Sequence, residues 1–160
     1  VKVTDWFRMD ANLTLSMNKA VDFSFTDFAD GDTVLQTYTK TTDLSLSPSA
    51  VGAAIATFIP MKNAKLQVVG KYVGKQYADN TGRECYAIDP YFLLNLRASY
   101  TWHLGGTNEI EAQLVVNNVL DHQYRLNAWV GDYYYDGYYH DRAWLQQPGI
   151  NFMGRVIYRF

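Results

Sequence analysis

Hydrophobic and polar residues alternate along much of the chain, and a period of two predicts β-strands. In residues 7–18, every odd position from Phe7 to Met17 is apolar and every even position from Arg8 to Asn18 is polar. An amphipathic helix would instead repeat its apolar residues at spacings of three and four. This stretch therefore predicts a strand with one apolar face and one polar face.

Five further stretches complete a set of six predicted strands. Residues 92–104, 109–117 and 151–160 alternate clearly. Residues 64–77 alternate weakly, and residues 51–59 are apolar on both faces. The orientation of residues 51–59 is open, and we place Phe58 on the outward, apolar face.

The connections between these strands alternate in length. Short turns rich in Gly, Pro and Asn are predicted at residues 60–63 and 105–108, and long loops at residues 20–47, 78–90 and 121–149. Short turns at one end and long loops at the other are typical of outer-membrane barrels. We predict an all-β fold: an antiparallel, up-and-down transmembrane β-barrel segment of about six long strands.

Strand length and the position of aromatic residues favour a membrane over water. Residues 92–102, at ~3.3 Å per residue and a tilt of ~45°, span ~25 Å of bilayer. Phe58, Tyr100 and Trp102 stand on the apolar face just before the short turns, which predicts a periplasmic aromatic girdle. The alternative is that these rings form the core of a soluble antiparallel sandwich.

The opposite face carries many charged residues, and these predict a wet lumen. They are Arg8, Asp10, Lys65, Lys71, Arg97, Glu109, Glu111, Arg155 and Arg159. A water-filled lumen accepts such side chains, whereas the dry interior of a small soluble barrel would not. Glu109 and Glu111 could act as paired carboxylates, or they could be two solvated residues near a turn.

Composition narrows the range of functions. Hydrophobic residues make up 48% and charged residues 19%, and the formal net charge is -2. This balance argues against a disordered chain and against nucleic-acid binding. A single cysteine, Cys85, excludes an internal disulfide framework. The three histidines, at positions 103, 122 and 140, lack metal-ligand spacing, so we predict neither an enzyme nor an intrinsic cofactor.

The last long loop holds the residues we predict to contact a ligand. Its aromatic rings could stack on a flat molecule, and His140 or Arg142 could meet anionic groups. The candidates are Trp129, Tyr133, Tyr134, Tyr135, Tyr138, Tyr139, His140, Arg142 and Trp144. The alternatives are a loop that packs against itself and an aromatic cluster at the outer-leaflet interface.

Three short motifs resemble those of TonB-dependent outer-membrane receptors. Residues 72–81 (YVGKQYADNT) resemble a strand and loop of that family. Residues 115–124 (VVNNVLDHQY) resemble its Asn-Val-Leu-Asp signature near the end of the barrel. Residues 147–160, from QPGINF to the terminal YRF, resemble its last strand, with Ile150 where the family usually has Arg. The resemblance covers essentially the whole chain.

The resemblance implies that this chain is one part of a transport protein. It implies TonB-dependent uptake of a scarce nutrient such as an iron–siderophore, haem or cobalamin across the outer membrane. It also implies that Val156, Tyr158 and Phe160 belong to the signal read by the barrel-assembly machinery. Such receptors have about 22 strands and a plug, so residues 1–160 would be the C-terminal part of the barrel.

The resemblance further implies partners and an orientation. The partners would be outer-membrane lipid, the remaining strands and plug of the same receptor, the TonB complex and the barrel-assembly machinery. Long loops would be extracellular, and short turns and the C-terminus periplasmic. Two alternatives stay open: a small closed outer-membrane or lipocalin-like barrel acting as a binding or structural protein, and a barrel enzyme with its catalytic residues elsewhere.

Overall fold

A computed structural model describes residues 1–28 and 34–160 of the chain. In that part, all extended elements are β-strands and the one helical element is a short 3-10 turn at Glu84–Tyr86. The strands are β1 (Phe7–Leu15), β2 (Lys19–Phe28), β3 (Val34–Asp43), β4 (Ala50–Met61), β5 (Ala64–Val73), β6 (Gln76–Tyr77), β7 (Ala87–Ile88), β8 (Tyr91–Gly105), β9 (Asn108–Asn117), β10 (Arg125–Tyr134), β11 (Tyr138–Gln146) and β12 (Asn151–Arg159).

Six of these strands form one antiparallel sheet in the order β1-β4-β5-β8-β9-β12. These six strands are the ones that the alternation predicts, and they occur in chain order across the sheet. The predicted all-β, up-and-down, antiparallel architecture is therefore confirmed. The described strands β1 and β12 do not pair with each other, so the sheet is an open segment.

The register aligns the apolar positions of all six strands on one face. One row of directly paired residues crosses the whole sheet: Phe7, Phe58, Leu66, Ala98, Leu114 and Gly154. Because successive side chains of a strand point to opposite faces, the neighbours of this row point to the other face. Phe58 lies on the same face as Phe7, as predicted.

The apolar face of the sheet is exposed. Leu13 is 68% exposed, Phe152 80% and Val156 73%. The most deeply buried side chains, Tyr86 and Ile88 at 1% each, lie instead in the connection between β5 and β8. Within the described residues no second layer covers the apolar face, which does not fit a sandwich core and leaves a large surface that needs an apolar partner.

The two short turns lie where the sequence predicts them. One joins β4 to β5 at Met61–Ala64 and the other joins β8 to β9 at Gly105–Asn108. Gly105 and Gly106 have φ of +104° and +61°, a region that residues with a Cβ rarely adopt. Glycine at these positions lets the chain reverse without strain.

The three predicted long connections contain strands that the sequence pattern does not predict. Two of the long connections fold into hairpins, β2–β3 and β10–β11, and the third contains the short pair β6–β7. In β2–β3, hydroxyl pairs such as Ser24–Thr39 at 2.8 Å bridge the strands. Such Thr- and Ser-rich strands alternate weakly in hydropathy, which is why the pattern does not reveal them. Residues 29–33, part of the predicted loop at 20–47, lie outside the described residues.

Several strand boundaries also differ from the prediction. The first strand ends at Leu15 rather than Asn18, and the strand that begins at Ala64 ends at Val73 rather than Tyr77. The chain leaves the six-stranded sheet at these points and enters a hairpin. The last strand ends at Arg159, one residue before Phe160.

Candidate functional site

The hairpins at the long-connection end of the sheet are joined by one arginine. Arg83, which follows β6, donates from Nη2 to Asp27 Oδ1 of β2 at 2.5 Å. Its Nη1 donates to Asp132 Oδ2 of β10. The side chains of Arg83 and Asp27 are 14% and 12% exposed. One guanidinium thus connects three segments that are far apart in the sequence, and we call these contacts the Arg83 junction.

Aromatic and histidine side chains complete the Arg83 junction. Tyr138 Oη of β11 donates to Asp27 Oδ1 at 2.7 Å. The buried Tyr86 donates its hydroxyl to Asp132 Oδ1, and His140 Nδ1 lies 2.7 Å from the same oxygen. Both carboxylates therefore have several partners, as groups removed from water require.

The junction shifts the pKa of several of its groups, among them Asp27 and Tyr138. Burial by itself would raise the pKa of Asp27, but the hydrogen bonds from Tyr138 and Arg83 and the charge of Arg83 outweigh it and lower that pKa. Burial, followed by the hydrogen bond to Asp27, raises the pKa of Tyr138 to about 12. At neutral pH the junction thus holds an ionised Asp27 and a neutral Tyr138.

A cavity of about 360 Å³ adjoins the junction. Hairpin β2–β3 contributes Phe25, Tyr38 and Lys40, and β11 contributes Tyr138 and His140; Asp27 and Arg83 complete the lining. The rings of Phe25 and Tyr38 stack with centroids 5.0 Å apart. We call this space the Lys40 cavity.

The predicted ligand contacts are divided between the two faces of hairpin β10–β11. Register places Trp129, Tyr133 and Tyr139 on one face. Tyr135 lies in the tip. The other face carries Tyr134, Tyr138, His140, Arg142 and Trp144. Of the nine candidates, Tyr138 and His140 line the Lys40 cavity.

Several of these candidates already bind other parts of the chain. Arg142 Nη1 donates to the carbonyl oxygen of Cys85 at 2.7 Å. The guanidinium of Arg125 stacks over the Trp144 ring at 4.6 Å. Tyr133 and Tyr139 stack on each other at 5.4 Å. These contacts fit a hairpin that packs against itself and its neighbours, and ligand contact stays a prediction.

The sequence gives no direct signal for Phe25, Asp27, Tyr38, Lys40 and Arg83, because all of them lie in predicted loops. Phe23 and Phe25 alternate with Ser24 and Thr26, and this short pattern could have indicated a strand. The pairing of Asp27 with Arg83 has no such signal, since it joins segments separated by 56 positions.

The predicted girdle and insertion residues lie on the apolar face of the sheet. Tyr100 and Trp102 pack with centroids 4.7 Å apart, and Phe7 packs on Phe58 at 4.9 Å. On β12, Val156 and Tyr158 share this face by register. Phe160 packs on Tyr158 at 5.9 Å. Their contact with lipid and with the assembly machinery stays a prediction.

Ion pairs form on the opposite, polar face near the short turns. Arg159 Nη2 donates to Glu111 Oε2 at 2.8 Å, and Arg159 Nη1 lies 3.5 Å from Glu109 Oε2. His103 Nδ1 lies 2.9 Å from Glu109 Oε1. Because a cation lies between the two acids, the geometry favours a structural role over paired acid–base chemistry.

Two other features are absent from the part of the chain that the structure describes. Residues 1–28 and 34–160 contain no helix with the length and hydropathy needed to cross a membrane. In the same residues, no group of three or more His, Cys, Asp or Glu side chains is arranged to hold a metal ion.

Solved structures with this architecture exist. The chain is similar to the ferric enterobactin receptor PfeA of Pseudomonas aeruginosa, with a TM-score of 0.58 and 18% identity over 98% of this chain and 20% of that one. The ferric-catecholate import receptor Fiu of E. coli matches with a TM-score of 0.53 and 12% identity, over 98% of this chain and 19% of that one. The chain has the fold of a siderophore-receptor barrel segment. The siderophore receptor PiuA of Acinetobacter baumannii matches with a TM-score of 0.54 and 13% identity, over 97% of this chain and 20% of that one.

These likenesses concern architecture. The chain spans about one fifth of the length of the receptors it matches. No protein-family model matches the sequence, and a search of curated proteins found no match. What this chain has in common with the receptors is therefore the fold of the matched segment.

Proposed function

We propose that this chain forms part of the wall of a TonB-dependent outer-membrane receptor that takes up an iron chelate, haem or cobalamin. The observation that carries the proposal is the continuous apolar face through all six strands of the sheet. Its exposed Leu13, Phe152 and Val156 need an apolar surrounding, and the charged opposite face needs water. The wall of a lipid-embedded barrel with a wet lumen satisfies both needs.

The open edges of the sheet support a larger assembly. Edge strands in lipid leave backbone groups without partners, so β1 and β12 require further strands beside them. The partners we propose are therefore the remaining strands and plug of the same receptor, outer-membrane lipid, the TonB complex and the barrel-assembly machinery. An open six-stranded sheet does not favour a small closed barrel.

The orientation we propose follows from the two ends of the sheet. The short turns at Met61–Ala64 and Gly105–Asn108 would face the periplasm, and the hairpins would face the exterior. The Arg83 junction would then lie at the extracellular mouth, where an incoming chelate first meets protein. Fiu and PfeA are receptors for ferric-catecholate and ferric enterobactin, so an iron chelate is the ligand we favour.

Growth under iron limitation tests the proposal. We expect a Gram-negative host that lacks the gene encoding this chain to lose growth on one ferric chelate as its sole iron source. The intact gene on a plasmid should restore growth, and added inorganic iron should make both strains grow equally. Equal growth and equal uptake of radiolabelled ferric chelates, haem and cobalamin by both strains would contradict a transport role.

A further inference from the structure

We propose that the Lys40 cavity is a binding subsite for an anionic group carried on an aromatic ring. The inference rests on the proposed function and specifies which part of a chelate this end of the barrel would take. The residues on which it depends are Phe25, Tyr38 and Lys40, which come from hairpin β2–β3 rather than from the aromatic-rich hairpin β10–β11.

Among the described residues that line the cavity, the charge without an ion-pair partner is positive. Asp27, the carboxylate in the lining, is already bound by Arg83 and Tyr138. Lys40 is exposed and has no ion-pair partner among residues 1–28 and 34–160. By contrast, Lys19 of the same hairpin is bound to Asp43 at 2.5 Å. An anion entering the cavity would therefore meet an available ammonium group and no free carboxylate in the described lining.

An aromatic surface lies directly beside this charge. The Lys40 Nζ is 5.3 Å from the centroid of the Phe25 ring. Phe25 and Tyr38 stack with an angle of 18° between their planes. A planar ligand ring placed against this pair would gain stacking energy while its anionic substituent reached Lys40. A small anion without a ring would gain only the contact with Lys40.

The size of the cavity fits a ligand fragment. Its volume of about 360 Å³ lies at the lower end of the ~300–1,000 Å³ range of ligand pockets. The cavity is formed by two hairpins together, with β2 and β3 contributing on one side and β11 on the other. Binding there would contact both hairpins at once, so affinity depends on the Arg83 junction holding them in place.

The experiment measures binding of 2,3-dihydroxybenzoate to the full-length protein in detergent by isothermal titration calorimetry. Lys40→Gln is expected to weaken binding about tenfold or more, the loss of one hydrogen bond to a charged group. Phe25→Leu is expected to weaken it by about twofold to tenfold, the loss of one aromatic contact. Acetate and neutral catechol should each bind more weakly than the probe.

Matched variants separate the cavity from general effects. Lys62→Gln removes the same charge at the short turn, and Phe28→Leu makes the same change near the end of β2 outside the lining. Both controls should bind the probe like the unaltered protein. Circular dichroism should show the same strand content in all variants, so that weaker binding is not the result of unfolding.

Three results would overturn the inference: no binding of the probe at millimolar concentration, equal loss in Lys40→Gln and Lys62→Gln, or acetate binding as tightly as the probe. The inference and the transport proposal fail separately. Chelate uptake that continues while the probe does not bind would remove the subsite and leave the transporter. Probe binding at Lys40 in a protein that supports no uptake would remove the transport proposal and leave the subsite.

Discussion

At the scale of single residues, Arg83 is a direct link between two of the outer hairpins. Its two ion pairs join β2 to β10, and both carboxylates also receive hydrogen bonds from tyrosines. The pairs are largely removed from water, so their attraction is screened little by solvent. Removing one partner of such a group leaves the others as buried, uncompensated charges.

We expect Arg83→Gln to loosen both outer hairpins. Leaving Asp27 and Asp132 without their cation should lower the local free energy of opening by about 3 kcal/mol. Hydrogen–deuterium exchange of β2 and β10 peptides in the full-length protein measures this change. Arg155→Gln is the control, since Arg155 of β12 has no ion pair in the part of the chain that the structure describes. Similar exchange in both variants would contradict the role of Arg83.

The stability that Asp27 contributes should depend on pH. Since the pKa of Asp27 is lowered in the folded protein, its ionised form is favoured there. This contribution is present above the unfolded-state pKa of about 3.9 and is lost as the pH falls below it. The difference in thermal unfolding between the unaltered protein and Asp27→Asn should therefore be constant from pH 5 to 8 and shrink below about pH 4. A difference that stays constant at low pH would argue against an ionised Asp27.

At the scale of elements, the register decides which side of the sheet meets lipid. Leu114 of β9 pairs with Ala98 and Gly154 on the apolar face, whereas Met153 of β12 pairs with Val115 on the opposite face. Both side chains are exposed in this chain, at 47% and 62%.

We expect Leu114→Arg to destabilise the barrel and Met153→Arg to be tolerated. An arginine on the lipid face near the bilayer centre costs about 2–4 kcal/mol, whereas one in the lumen remains in water. Urea-induced unfolding of the full-length protein in lipid vesicles measures the difference. If both substitutions had the same effect, the assignment of the lipid face would be wrong.

At the scale of the whole molecule, the sheet is one wall of a structure that it does not complete. Its most deeply buried apolar side chains lie at the hairpin end of the sheet: Tyr86 and Ile88 in the connection between β5 and β8, and Val73 and Tyr91 at the ends of those two strands. The strands present one apolar surface and two open edges. Folding energy from burial is therefore concentrated at one end of the sheet, and the remainder must come from lipid and neighbouring strands.

The 160-residue chain produced alone should therefore not be a stable, water-soluble monomer. We expect it to aggregate without detergent and to associate through β1 and β12 in detergent micelles. Light scattering with size-exclusion chromatography distinguishes these states, and the full-length protein is the control. A monodisperse, detergent-free monomer with a cooperative melting transition would contradict the membrane interpretation.

The sequence pattern determined the strands of the six-stranded sheet, whereas the residues of the Arg83 junction and the Lys40 cavity are brought together only by the tertiary structure. Alternation over residues 7–18, 92–104, 109–117 and 151–160 predicts four of the six strands and their two faces, because side chains in a strand alternate with a period of two whatever the partner. The other two, residues 64–77 and 51–59, carry a weaker pattern. The Phe58 orientation followed from the same rule once the neighbouring strands were paired. Hairpins β2–β3 and β10–β11 were missed because Ser, Thr and Tyr on both faces leave little hydropathic contrast.

The Arg83 junction and the Lys40 cavity depend on contacts that no local pattern records. Asp27, Arg83 and Tyr138 lie far apart in the chain, and only the folding of three connections over one end of the sheet brings them within hydrogen-bond distance. Nothing in the sequence marks Phe25, Tyr38 and Lys40 as neighbours, because they come together only when β2 and β3 pair. The sequence therefore determined which faces need lipid and water, through a periodic and local rule. The tertiary structure decided which charges are paired, because pairing depends on distance in space.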